Sequence, residues 1–329
     1  MLYNQDFLDR LANGIRGALP QWSISTGATV RLLTISENAT YLVIDEATDT
    51  KMIVRVHRPA YHTREQILSE LAWIEALRAD GVVETPRPLH TSEGALLTTI
   101  FDGESKRFVV AFEFMSGAEP DSDADGIKWY GKLGEINARL HQHARAWQKP
   151  ESFNRKVWNF ETILGENAYW GDWRNALGLK ADGRAILERT HDRLARDIAT
   201  YGTNPERFGL VHCDMRAANL LVDGKRLAVI DFDDCGLSWY AYDFAAAISF
   251  LEALPVVDAL KAAWVEGYRS VAPFSAEDEA ALPMFIMLRR MQLTAWVASH
   301  AETPTAQEMG TGFTDGTVAL AERYLTGNA

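Results

Sequence analysis

The sequence predicts an α+β fold of two lobes, a small β-rich N-terminal lobe over residues 1–115 and a larger, mostly helical C-terminal lobe over residues 116–329. Short β-branched and aromatic runs cluster before residue 115, and apolar residues from 126 onward recur at helical spacing. A strand, loop and hairpin pattern carrying Asp and Asn occupies 209–234. The connection between the lobes falls near 116–125, which is rich in Gly, Pro, Ser and Asp.

Val30 to Ile35 and Thr40 to Ile44 read as two strands joined by Ser36-Glu-Asn-Ala39. The joining loop can present backbone amides, around Ser36 and Asn38, to an anion. It is not glycine-rich, and an ordinary hairpin turn fits the same residues. Met52 to Val56 reads as a third strand containing Arg55. From Arg64 to Asp80, Ile67, Leu71, Ile74 and Leu77 recur every three or four residues, which predicts an amphipathic helix ending at Gly81. Glu70 lies within it, either solvated or paired. Phe108 to Met115 reads as the last strand, broken by Ser116-Gly117.

In the second lobe, Ile127 to Trp147 places Trp129, Leu133, Ile136, Leu140 and Ala144 on one helical face. Ala185 to Tyr201 and Ala281 to His300 are further helices. Between the first two, Trp158 to Trp173 is aromatic and acidic together, suited either to a pocket for a cationic ligand or to packing between helices. Arg289, Arg290, Trp296 and His300 are candidates for the far wall of such a pocket, although their spacing does not decide it.

The most informative stretch is Val211-His-Cys-Asp-Met-Arg-Ala-Ala-Asn-Leu-Leu-Val222, followed by Ala228-Val-Ile-Asp-Phe-Asp-Asp234. Gly209 to His212 reads as a short strand, and Leu220 to Val222 with Leu227 to Ile230 as two strands around an Asp223-Gly224 turn. Asp214 can accept a hydroxyl proton, and Asn219 with Asp231 offers the hard oxygen ligands that magnesium takes beside a nucleotide's phosphates. Asp233 shares a side with Asp231 if the strand continues, whereas Asp234 suits a turn cap. Arg216, two residues after Asp214, can meet a transferred phosphate or stand as a solvent-facing loop arginine. Asp or Asn in such a loop can equally cap a turn, and His212 fits a hydrogen-bonded loop organiser better than a base.

His212, Asp214, Asn219 and Asp231 match H-x-D-x4-N followed by a strand ending in Asp, and Tyr242-Asp-Phe-Ala245 fits the helix start beyond it. On these residues the chain resembles the aminoglycoside phosphotransferase and choline kinase superfamily, over nearly its whole length. It looks most like stress-response kinase A and the type II homoserine kinases. The resemblance implies a protein-kinase-like fold, ATP and Mg2+ as cofactors, and phosphoryl transfer to an alcohol. It implies that Asp214 and Arg216 are catalytic, that Asn219, Asp231 and Asp233 hold metal, and that Asp243 braces the catalytic loop. It implies that Arg55, standing where protein kinases place a lysine, grips ATP with Glu70 as partner. Arg keeps the charge and adds bidentate contact to phosphate. Backbone near Glu113 to Met115 would meet adenine. The implied acceptor is a small molecule such as an amino alcohol, homoserine or an aminoglycoside. A protein Ser or Thr is the alternative acceptor, and a nucleotide-binding regulator without turnover is the alternative class.

Composition agrees. A length of 329 residues with 47% hydrophobic content can build two cores, and a net charge of −12 argues against a nucleic-acid partner. That balance mildly favours a cationic or neutral acceptor. No uninterrupted apolar run of roughly 18 residues and no signal-like N-terminus is present, so neither a membrane span nor a secreted product is expected, and the expected location is the cytoplasm. Two cysteines make no disulfide framework; Cys213 and Cys235 read as small buried side chains, with a redox pair as the alternative. Neither a P-loop signature nor H-E-x-x-H occurs, which disfavours a P-loop enzyme or a metallohydrolase.

Overall fold

The computed structural model describes residues 4–35, 38–103, 105–120 and 126–327. Its contacts divide the chain into two compact units, one of residues 1–117, 149–154 and 228–233, the other of 118–148, 155–227 and 234–329. Sequence order alone therefore does not separate them.

The first unit opens with α1 (Gln5–Ala18), which the sequence reading did not anticipate. Asn4 caps it by accepting from the Phe7 amide, and Leu11, Ile15 and Ala18 are its buried stripe. Five antiparallel strands follow in the order β1-β2-β3-β5-β4: β1 (Thr29–Ile35), β2 (Ala39–Asp45), β3 (Thr50–Val56), β4 (Thr98–Asp102) and β5 (Ser105–Glu113). Gly14 lets α1 ride close to the sheet, since a Cβ there would sit 3.0 Å from the Ile100 side chain. The core joins Leu11 and Ile15 to Tyr41, Val43, Met52, Val54 and Val109. Helix α2 (Arg64–Ala79) starts at a Thr63/Gln66 capping box and buries Ile67, Leu71, Ile74 and Leu77, the face its periodicity predicts.

In the second unit α3 (Gly126–Ala146) packs on α7 (Val257–Arg269), and glycines let their backbones approach closely at two points. A Cβ on Gly134 would lie 2.1 Å from the Trp264 carbonyl oxygen, and one on Gly267 would lie 1.9 Å from that of Gly131. Tyr130 is buried on α3, not the expected Trp129, which is only partly covered. Two polar side chains, Asn137 and His141, share that buried face and escaped the apolar-stripe reading.

Helices α4 (Phe160–Leu164) and α5 (Ala181–Tyr201) lead to β6 (Phe208–Val211). The hairpin β7 (Leu220–Asp223) and β8 (Arg226–Val229) turns at Gly224, whose φ is +62°. Strand β9 (Gly236–Trp239) pairs antiparallel with β6 and feeds α6 (Tyr242–Ala247). Two long helices finish the chain, α8 (Ala276–Ser299) and α9 (Pro304–Thr326). Nearly every residue of α8 from Leu282 to Val297 is buried, and Arg289 and Arg290 are among them. Among the described residues no helix is long and apolar enough to cross a membrane.

Candidate active site

The first unit holds a buried ionic cluster built on adjacent elements. Arg55 projects from β3, and its Nη2 lies 2.7 Å from both carboxylate oxygens of Glu70 on α2. Arg55 is 4% exposed and Glu70 is 0% exposed, so each charge is sustained by the other rather than by water. Burial opposes the Arg55 charge, but Glu70, Asp233 and Asp231 outweigh it and hold its pKa above the ordinary value. The guanidinium also stacks 5.3 Å from the Phe112 ring centroid.

Beyond β8 the chain does not continue as a strand. Asp231 adopts φ +59°, and Phe232 buries edge-on against Trp73 with ring centroids 5.5 Å apart. Both carboxylates nonetheless face Arg55, Asp231 Oδ1 at 3.2 Å from Nη1 and Asp233 Oδ1 at 3.7 Å from Nη2. A turn, not strand alternation, brings them to one side. Their surroundings differ. Asp231 is half-exposed, whereas buried Asp233 accepts from Asn38 Nδ2 at 2.7 Å and lies 3.3 Å from His62 Nε2 and 3.6 Å from His57 Nδ1. Burial works against the Asp233 charge, yet His62 and Arg55 hold its carboxyl well below the usual range. Asp233 thus lies deeper than Asp231, and with His62 and Asp234 it offers ligand atoms within 4.8 Å of one another, a group able to hold a metal ion.

Asn38 joins the same cluster. Its side-chain amide donates to Asp233 and its oxygen accepts the Arg58 amide at 3.2 Å, so the side chain helps to organise this cluster. Ser36, the other loop candidate, lies outside the described residues. At the end of β5, the Glu113 amide donates to the Arg87 carbonyl and its carboxylate meets Arg78 and Arg87 at 3.2 and 3.4 Å. Met115 follows half-buried in irregular backbone.

The second unit builds its site around the loop after β6. Asp243, at the start of α6 and fully buried, accepts the backbone amides of His212 (3.3 Å) and Cys213 (2.8 Å). It also accepts from Asn137 Nδ2 at 3.0 Å and His141 Nε2 at 2.9 Å. Burial would raise its pKa, but these donors, His141 foremost, keep it below the ordinary carboxylate value. Burial lowers the His141 pKa, and with Nε2 turned to Asp243 its Nδ1 faces the Tyr268 hydroxyl, 2.9 Å away. His212 turns Nδ1 to the Asp214 amide at 3.3 Å and so organises the loop. Cys213 sits in the left-handed region at φ +67°, a conformation that glycine adopts without penalty. Burial and the Asp243 charge push its thiol well above the usual range, and Cys235 is buried too, which fits packing rather than redox chemistry.

This loop delivers Asp214 with its carboxylate held from two sides. Asn219, closing a single 3-10 turn, donates Nδ2 to Asp214 Oδ2 and to the Asp214 carbonyl, both at 2.8 Å. On the other side Arg289 Nη2 donates to Asp214 Oδ1 at 2.6 Å. Arg216 makes a longer contact of 3.4 Å from Nε to Oδ2. The Asp214 side chain is 17% exposed, enough for one small group to reach it.

Arg289 as a partner of Asp214 was not foreseen; it was placed only on a pocket wall. The available signal was two arginines inside an apolar helical run, since a buried guanidinium requires a partner. Arg290 spends itself internally, 2.8 Å from Glu252 and 2.9 Å from the Phe313 carbonyl. In the aromatic segment, Trp158, Trp170 and Trp173 are buried, and Tyr169 is exposed. Packing thus accounts for most of it.

On this fold, a carboxylate oriented beside an amide and a buried Arg–Glu pair with further carboxylates beside it define an enzyme of the phosphotransferase class. Residues 29–274 match the family described as the phosphotransferase enzyme family. The structure is similar to that of the microcompartment-associated aminopropanol kinase, at 42% sequence identity and a TM-score of 0.88, covering 95% of this chain and 97% of that one. Amicoumacin kinase of Bacillus subtilis is 22% identical over 230 residues, 69% of this chain and 65% of that protein, so the chain spans just under two thirds of that relative. A homoserine kinase of Xanthobacter autotrophicus is 26% identical over 256 residues, 75% of this chain and 72% of that protein. The chain belongs to the phosphotransferase enzyme family.

Proposed function

We propose that the protein is an ATP- and magnesium-dependent kinase that phosphorylates the hydroxyl of a small amino alcohol. The observation that carries the acceptor class is the 42% identity, over 95% of this chain, to a kinase whose name specifies aminopropanol.

The chemistry follows from the chain's own groups. Asp214 accepts a hydrogen bond from the acceptor hydroxyl and takes its proton as that oxygen bonds to the γ-phosphorus. The bond from phosphorus to the β–γ bridging oxygen breaks, and its electron pair leaves with ADP. Arg55, fixed by Glu70, grips the α and β phosphates, and Arg216 steadies the transferred phosphoryl group. Asn219 in the second unit and Asp231, half-exposed in the first, each offer a hard oxygen donor of the kind magnesium takes. Magnesium bound with the nucleotide would supply charge neutralisation on the phosphate oxygens.

The test is kcat/KM for ATP-dependent phosphorylation across 1-amino-2-propanol, ethanolamine, choline, homoserine, an aminoglycoside and a generic protein substrate. The proposal expects an amino alcohol to lead by at least tenfold. A leading homoserine or protein substrate would overturn the acceptor assignment, and no transfer to any alcohol would overturn the kinase reading.

A further inference from the structure

Asp214 is set 75 positions away from the residue that holds its outer oxygen. Arg289 is 2% exposed on α8, and each edge of its guanidinium is fixed by the scaffold. Nε donates to Ser249 Oγ at 2.9 Å, and Nη1 donates to the Tyr242 hydroxyl at 3.2 Å and to Gln292 Oε1 at 3.4 Å. Nη2 is thereby aimed at Asp214 Oδ1, 2.6 Å away. The guanidinium carbon also lies 4.9 Å from the Trp170 ring centroid, which closes one face by stacking. Tyr242 donates in turn to Gln292, so the acceptors around the arginine are themselves oriented.

From this geometry we infer that Arg289 is a positioning residue. It acts through Asp214, fixing the carboxylate so that its remaining lone pairs meet the acceptor hydroxyl. The inference rests on the assignment of Asp214 as the proton acceptor under the proposed function. Asn219 alone leaves the carboxylate free to swing about the Oδ2 side; a second anchor on Oδ1 removes that freedom. A planar fork held at three edges suits the task, whereas a lysine's point charge on a flexible stem cannot keep Ser249, Tyr242 and Asp214 together. Misplacing a reacting group by about 1 Å costs on the order of 100-fold in rate.

The experiment measures kcat and nucleotide KM for the full chain with its best acceptor, in the parent and Asp214→Asn, each with and without Arg289→Met. In the parent background the substitution is expected to lower kcat about 100-fold and to leave nucleotide KM within about threefold. In the Asp214→Asn background its further effect is expected to fall to near onefold, because nothing remains for Arg289 to position. Equal losses in both backgrounds, or an unchanged kcat in the first, overturn the inference. Should Arg289→Met not fold, Arg289→Lys keeps a buried cation: an intermediate kcat with parental KM supports positioning by the fork, and parental kcat overturns it. A parent that transfers phosphate to no acceptor counts instead against the proposed function, so the two failures are distinguishable.

Discussion

Arg55 Nη2 stands 2.7 Å from both oxygens of Glu70, and neither side chain is more than 5% exposed. A buried pair of this kind is costly to break from one side, since the charge left behind has no water to replace its partner. Arg55→Met is therefore expected to cost about 3–5 kcal/mol in urea unfolding. Arg55→Lys should cost distinctly less but raise nucleotide KM, because the fork is lost while the charge remains. Equal stability of the Met variant and the parent would contradict the pairing.

Asp243 carries a second expectation. Its carboxylate accepts four donors, two of them the amides of His212 and Cys213. In Asp243→Asn one oxygen becomes an NH2 facing donors, and each buried amide left unmatched costs about 1–3 kcal/mol. The variant should unfold at lower temperature and lose most of its turnover as the loop carrying Asp214 loosens. A variant with parental melting temperature and turnover would show that the brace is dispensable.

The pH dependence of stability should carry the mark of His141. Its folded pKa is depressed by burial, so below about 6.5, the ordinary histidine value, the unfolded chain binds a proton that the folded chain refuses. Stability from this group is intact above that value and declines as pH falls below it, by at most about 1.4 kcal/mol per pH unit. Denaturant unfolding at pH 7.5 and 5.5 should show a smaller loss in His141→Gln than in the parent. The same loss in both would contradict a buried neutral imidazole.

Cys213 tests backbone conformation. A side chain at φ +67° carries left-handed strain of about 1–2 kcal/mol that glycine escapes, so Cys213→Gly should fold with equal or higher stability. Cys213→Val should be destabilised, as a β-branched residue resists that conformation. With its thiol pKa pushed up by burial, the folded protein should also resist alkylation at both cysteines. Rapid labelling of the native protein would restore the redox alternative.

What could be read from the sequence was what depends on neighbours along the chain. The three-and-four spacing of Ile67, Leu71, Ile74 and Leu77 located α2 to within a residue, and β-branched runs located β1, β2 and β3. The His212 to Asn219 spacing located the loop that carries Asp214. Long-range relations were not legible. No local pattern ties Arg289 to Asp214, and none marks Asn137 and His141, although both serve Asp243. Asp233 was read from strand periodicity, but the positive φ of Asp231 ends the strand, and Asn38, His57 and His62 then surround the second carboxylate. Trp129 shows the limit of apolarity as a guide, because α3 buries Tyr130 instead, whose hydroxyl reaches the Ala247 carbonyl at 2.8 Å.

The central claim, that Asp214 supports phosphoryl transfer from ATP to an amino alcohol, is most directly tested by following 31P NMR of ATP, magnesium and 1-amino-2-propanol with the parent protein and with Asp214→Asn. The account predicts a phosphomonoester signal growing in step with ADP for the parent, slowed by at least 1,000-fold in the variant, on the order of the loss when a catalytic group is removed. ADP accumulating with inorganic phosphate alone, or ester formed equally fast by Asp214→Asn, would contradict it.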